Sequence, residues 1–147
     1  MTKEQMREQI LAARKTKGVT WEDLADSTGM SPVFLCSACL GENSLTRDQA
    51  DAVCGALGLD GSVADALAEY PDKGQRYATM VTDPLVYRLN EVVMVYGETL
   101  KEVIQEKFGD GIMSAIDFTM DVEKIEDPKG DRVKVTMNGK FLPYKRW

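Results

Sequence analysis

Glu106-Lys107-Phe108-Gly109-Asp110-Gly111-Ile112-Met113-Ser114-Ala115-Ile116-Asp117-Phe118-Thr119-Met120 is where one periodicity gives way to another. Upstream, Leu85, Leu89, Val92, Val93, Tyr96, Leu100, Val103, Ile104 and Phe108 recur in steps of three and four, which is helical spacing. Gly109-Asp110-Gly111 ends the rhythm. Downstream, Phe118, Met120, Val122 and Lys124 fall on alternate positions, which is strand spacing. A long helix followed by strands makes this end of the chain α+β.

The helix has a clear start. Asp83 is a good cap whose charge suits the helix dipole, and Pro84 fits the first turn. Gly97 in its middle costs about 1 kcal/mol relative to Ala, which predicts a close approach of another segment there. After Ile125, Asp127-Pro128-Lys129-Gly130 is turn chemistry, and Arg132–Met137 reads as a second strand ended by a tight turn at Asn138-Gly139. Two strands alone cannot bury both faces, and an isolated hairpin is marginal in water. Pairing with another subunit is the simplest solution, so the tail predicts a homo-oligomer.

The first half is helical throughout. Lys17-Gly18 breaks a first helix carrying Ile10 and Leu11. Thr20-Trp21-Glu22-Asp23 is a capping box with Asp in place of Glu, opening a helix that stops at Thr28-Gly29. Ser31-Pro32 restarts a helix with Ser as cap, which Gly41 ends. Thr46 caps another with Ala50, Val53, Cys54 and Leu57 inward, and a last one passes through Val63, Ala64, Leu67 and Ala68 to Tyr70-Pro71. The expected organisation is a helical bundle over residues 1–70, a linker over 71–81 that combines Pro, Gly and charge, and a second domain over 82–147.

Trp21 to Ser31 resembles the first helix and turn of repressor-like helix-turn-helix proteins. A reading helix would then run from Pro32 to Leu40, yet that segment holds no Arg, Lys, Asn or Gln to meet bases or phosphates. The net charge of −6 also argues against a dominant nucleic-acid footprint. A bundle used for packing or assembly is the better reading. A DNA-binding regulator with a C-terminal dimerisation domain is the alternative.

The chain of 147 residues contains no histidine. That removes the usual general base near neutral pH, His-ligated zinc and Ser-His or Cys-His nucleophile pairs. Proton transfer must use Glu, Asp, Lys, Tyr, Cys or the substrate itself. Cys36-Ser37-Ala38-Cys39 lacks the further ligands of a zinc site and the βαβ setting of a redox motif, so it and Cys54 read as small buried thiols. No apolar run approaches the roughly 20 residues that span a bilayer, and the charged Met1–Glu8 segment does not suit a signal peptide. The expectation is a cytoplasmic protein with no membrane partner. Arg88 and Glu91 project from one side of the long helix, and spacing alone makes them an ordinary surface pair.

Thr82-Asp83-Pro84, Tyr87-Arg88, Glu91, Val95-Tyr96-Gly97, Leu100-Lys101, the run Glu106 to Ile112, Ser114-Ala115-Ile116, Phe118 and Gly139-Lys140-Phe141-Leu142-Pro143 together resemble the cyanase family. The resemblance is nearly continuous from Thr82 to Tyr144. Val81 departs from it where Pro is frequent, and Asp117 departs where Asn can occur, placing negative charge close to Ser114 in sequence. The resemblance implies a homodecamer, a pentamer of intertwined dimers whose C-terminal strands are exchanged, with active sites between subunits. It implies Arg88, Glu91 and Ser114 as catalytic residues and Arg88, Ser114, Ala115 and Leu142 as substrate contacts. The implied reaction is the decomposition of cyanate with bicarbonate as co-substrate, through carbamate to ammonia and carbon dioxide. No metal or organic cofactor is implied.

Two small anions suit this inventory of side chains. An arginine fork is permanently charged and matches planar oxyanions. Ser114 beside the glycine-rich turn would donate a hydrogen bond, and Glu91 would orient and balance the arginines.

Overall fold

The computed structural model describes residues 1–71, 73–74 and 76–147; Asp72 and Gln75, both within the segment read as a linker, lie outside the described residues. The architecture is α+β, with helices followed by one two-stranded antiparallel hairpin. The chain forms two compact units, Met1–Gly74 with Asp121–Lys134, and Gln75–Met120 with Val135–Trp147.

In the first unit, α1 (Lys3–Lys17), α2 (Trp21–Thr28), α3 (Pro32–Cys39), α4 (Arg47–Leu57) and α5 (Gly61–Ala68) form the bundle. Thr2, Thr20 and Thr46 each close a capping box with Gln5, Asp23 and Gln49, so orphan amides at three helix starts are satisfied locally. At α3 the expectation holds for position but not for chemistry. Ser31 is extended and Pro32 sits in the first turn, yet the Ser31 hydroxyl makes no capping bond. α4 packs on α5, α2 on α3 and α4, and α1 across α3, α4 and α5.

The buried apolar side chains all lie between Met6 and Leu67. Met6, Ile10, Leu24, Leu35, Val53, Leu57, Val63 and Leu67 fill the centre, and Ala38 and Ala50 are fully buried among them. The Arg14 guanidinium stacks over Trp21 at 4.3 Å and donates to the Val19 carbonyl at 3.1 Å, which fixes the corner between α1 and α2. Lys3 reaches from α1 to the carbonyls of Ala66 and Glu69 at the end of α5, and partial burial lowers its pKa.

In the second unit a single helical turn, α6 (Tyr77–Met80), occupies part of the expected linker. It precedes α7 (Pro84–Phe108), where the Asp83 carboxylate accepts from the Leu85 and Val86 amides at 2.9 and 3.1 Å. No residue of α7 is buried in a single chain. Leu89, Val93, Met94, Val95 and Tyr96 are all more than half exposed. At Gly97 an added Cβ would meet only Val93 Cγ1 at 3.9 Å, so the close approach expected there is not made within the chain.

Two strand boundaries differ from expectation. β1 (Gly111–Ile125) starts as soon as the helix ends, whereas the sequence pattern becomes regular only near Phe118. β2 (Arg132–Pro143) runs straight through Asn138-Gly139, which is therefore not a turn. The glycine serves another need. A Cβ there would stand 2.4 Å from the Ser114 carbonyl oxygen and 2.6 Å from Met113 Cγ, so β2 comes too close to β1 for any side chain. Phe118 and Met120 share a half-buried face, but the alternation fails at Val122, which is exposed.

Truncating Leu35, which is fully buried, to alanine is expected to lower the unfolding free energy by about 2–5 kcal/mol through lost burial and a residual cavity. Denaturant midpoints at constant m-value check this; a shift below 1 kcal/mol would contradict the packing described.

Candidate active site

The long helix places its charged pair first. Arg88 and Glu91 sit one turn apart on α7, and Arg88 Nη1 donates to Glu91 Oε2. The pair expected from spacing is therefore formed. Its arginine is mostly exposed, at 71%, so the pair adds little stability and the guanidinium is open to further partners.

Ser114 differs in kind. It is the only buried polar residue among those described, at 5% exposure. The amides of Ile116 and Asp117 both donate to its Oγ, at 3.0 and 2.9 Å. A serine oxygen has two acceptor positions and one proton. With both acceptor positions taken, the hydroxyl is left as a donor. The local turn of β1 after Ser114 makes this possible, and side-chain patterning carries no sign of it.

Four contacts fix the base of the hairpin. Gly109 leaves α7 at φ 85, ψ −166, a region closed to other residues, while its amide still caps the Gln105 carbonyl at 2.8 Å. Phe108 stacks on Phe141 with ring centroids 5.2 Å apart. The Tyr144 amide donates to the Asp110 carbonyl at 3.1 Å. Gly111 is pressed against Leu142 and Pro143, where an added Cβ would lie 2.4 Å from the Leu142 carbonyl oxygen. Leu142 is 39% exposed, and Ala115 is exposed as well.

Within one chain the predicted site residues fall into two sets. Arg88 and Glu91 are joined to each other; Ser114 and its amides form the second set, with Ala115 next in the strand. No hydrogen bond or ion pair connects the two sets among the described residues. Sequence reasoning missed the Ile116 and Asp117 amides and the close approach at Gly139. Asn138-Gly139 was the available signal, but its dipeptide chemistry points to a turn. Lys140 approaches the Asp117 carboxylate at 4.0 Å, which offsets the negative charge noted beside Ser114.

Among the described residues no group of three or more Cys, Asp or Glu is arranged to hold a metal ion. The three cysteines are free thiols. Burial pushes the Cys39 thiol up to about 12 and raises those of Cys36 and Cys54, which holds them protonated and poorly nucleophilic near neutral pH. No helix among the described residues is long and apolar enough to cross a membrane.

Two family models match the chain, Cyanate hydratase, N-terminal over residues 3–71 and Cyanate lyase C-terminal domain over residues 78–146. A Cyanate hydratase of Marinomonas sp. (strain MWYL1) is 58% identical over 147 residues, covering 100% of both chains. The chain belongs to the cyanate lyase family. A Cyanate hydratase of Pseudomonas putida is 56% identical over the same length. The crystal structure of cyanase from T. urticae matches with a TM-score of 0.87 at 38% identity, covering 95% of this chain and 97% of that one. As a member of this family the chain is a carbon–nitrogen lyase. Nothing in these likenesses supports the DNA-binding alternative.

For this cyanate lyase family member the tight crossing at Gly139 is directly testable. Gly139→Ala forces a Cβ onto the Ser114 carbonyl, and because the obstacle is backbone, β1 must shift. The expected cost is about 1–3 kcal/mol of overpacking, read as a lower unfolding midpoint, together with faster amide exchange at Ile116 and Asp117. Unchanged exchange at both amides would contradict the geometry.

Proposed function

We propose that this chain decomposes cyanate with bicarbonate, giving carbamate and then ammonia and carbon dioxide, and that Arg88, Glu91 and Ser114 carry the site. The observation behind this reading is Ser114, a buried hydroxyl whose acceptor positions are filled by two backbone amides. Such a group presents a proton to an anion and does not attack. Hydrogen bonds received at Oγ also polarise the O–H, which strengthens it as a donor.

Cyanate and bicarbonate repel each other in water. A site that holds both must offset that repulsion and align the attacking oxygen with the cyanate carbon, which is proximity and electrostatic work. Arg88 supplies a fork for planar oxyanions, and Glu91 holds that fork in direction. Ala115 and Leu142 would line the same site. Bicarbonate oxygen adds to cyanate carbon, and the nitrogen takes the proton. The mixed anhydride then breaks the C–O bond that came with bicarbonate and loses carbon dioxide; the bridging oxygen stays with the cyanate carbon as carbamate, which after taking up two protons falls to ammonia and a second carbon dioxide. Bicarbonate carries part of the proton traffic, so neither a histidine nor a metal or organic cofactor is required by this scheme.

In a single chain Arg88 and Ser114 are not joined, and α7 leaves its apolar side chains uncovered. Both facts support an assembly in which neighbouring subunits bring the two sets together, and a homodecamer built as a pentamer of dimers with exchanged C-terminal strands fits them. The proposed setting is the cytoplasm, with no nucleic-acid or membrane partner.

Ammonia release from cyanate should require added bicarbonate; turnover in rigorously bicarbonate-free buffer, or none at any bicarbonate level, would sink the proposal. Arg88→Lys should keep the oligomer and lose most turnover, because a point charge does not replace a planar fork. Ser114→Ala should lower kcat by about 100- to 1,000-fold, the usual cost of one anion-stabilising donor, with sedimentation unchanged. Ser114→Ala at wild-type kcat would remove the serine from the chemistry.

A further inference from the structure

A cavity of about 400 Å³ opens on the first unit, outside the site described above. Trp21, Val33 and Leu40 give it apolar walls, Cys36 lies in its lining, and Glu22 and Asp121 stand among the same residues. A third carboxylate, on Glu42, already accepts from the Gly74 amide at 2.7 Å. No Lys or Arg contributes to the lining. Its volume suits one large side chain or a small ligand, and its chemistry asks for something apolar that carries positive charge beside it.

The chain itself ends in that chemistry. After β2, residues Tyr144-Lys145-Arg146-Trp147 adopt no regular structure. Tyr144 is 60% exposed and Trp147 is wholly exposed. An exposed indole next to two cations is an unusual expense of apolar surface, and Trp and Arg are the residues that most often anchor protein interfaces.

We propose that this cavity is the socket for the Lys145-Arg146-Trp147 tail of a second copy of the chain, with the indole against Trp21, Val33 and Leu40 and the cations facing Glu22 and Asp121. A chain's own tail cannot serve. Asp121 belongs to the part of β1 nearer the hairpin turn, while the tail leaves the open end, where Pro143 lies beside Gly111. Ten strand residues separate Gly111 from Asp121, about 33 Å in extended geometry, and the four residues after Pro143 reach at most about 14 Å. The tail therefore links one chain's hairpin base to another chain's helical bundle. The proposal concerns assembly only and stands apart from the cyanate reading.

Cys36 makes the test direct. Full-length protein carrying Lys145→Cys, which keeps the indole, should give a disulfide-linked pair of chains on a non-reducing gel after oxidation at about pH 8.5, where more of a thiol is ionised. Disulfide formation needs Cα atoms within about 7 Å, so the link reports seating of the tail. It should vanish in Lys145→Cys combined with Cys36→Ser, fall at least severalfold when Trp147→Ala is added, and be absent from the wild type. Adding Glu22→Lys should slow the link at least severalfold, and adding Arg146→Glu to that variant should restore it. A link within one chain, a link that survives Cys36→Ser, or no link while sedimentation shows associated chains would each overturn the proposal. A chain that sediments as a monomer would overturn it too. Bicarbonate-dependent turnover, measured on the same samples before oxidation, reports separately on the proposed reaction.

Discussion

The two parts of this chain stand in different relation to water, and that difference governs the rest. The bundle between Met6 and Leu67 closes its own core. α7 and the hairpin do not: the helix has no buried residue, and Val93, Met94, Val95 and Ile116 face solvent in a single chain. Apolar surface on this scale marks a surface meant for another protein. A helix of this length gains most of its stability from packing an apolar face and not from propensity. In the proposed assembly, stability of the second unit and completion of the site are the same event, because whatever covers α7 also decides what stands near Arg88.

Chemistry without histidine makes direction matter more than basicity. In the proposed site Arg88 contributes a fixed charge and Ser114 a directed proton, and neither has to change ionisation to act on an anion. The three thiols, all raised by burial, are poor nucleophiles for the same physical reason that they pack well. The proposed site accordingly aligns two reactants and leaves the proton transfers largely to them.

Much of this was legible in the residues. Caps at Thr20, Thr46 and Asp83 mark helix starts because their effect is local, decided within four residues. The Arg88–Glu91 pair follows from helical spacing alone. Ser31 shows the limit of such reading, since its backbone adopts the capping position while its hydroxyl stays unused. The errors in the hairpin have a different origin. Asn138-Gly139 carries the dipeptide chemistry of a turn, and only the partner strand reveals that the glycine is needed for clearance from Ser114. The start of strand β1 is hidden in the sequence because Ser114, Ala115, Ile116 and Asp117 break the alternation. That same irregularity lets the strand fold two amides back onto Ser114. The site was thus least readable where it is most particular. Arg88, Glu91 and Ser114 entered through a family resemblance, not through pattern.

The two amides at Ser114 have one more consequence. They belong to the backbone at positions 116 and 117, so the genetic code can scarcely touch them. Any side chain may replace Ile116 or Asp117 and the N–H groups remain; proline alone deletes one. The feature that fixes the direction of the serine proton is therefore sheltered from mutational drift, while the surrounding residues, including an exposed Ile116 and the charged Asp117, are free to vary.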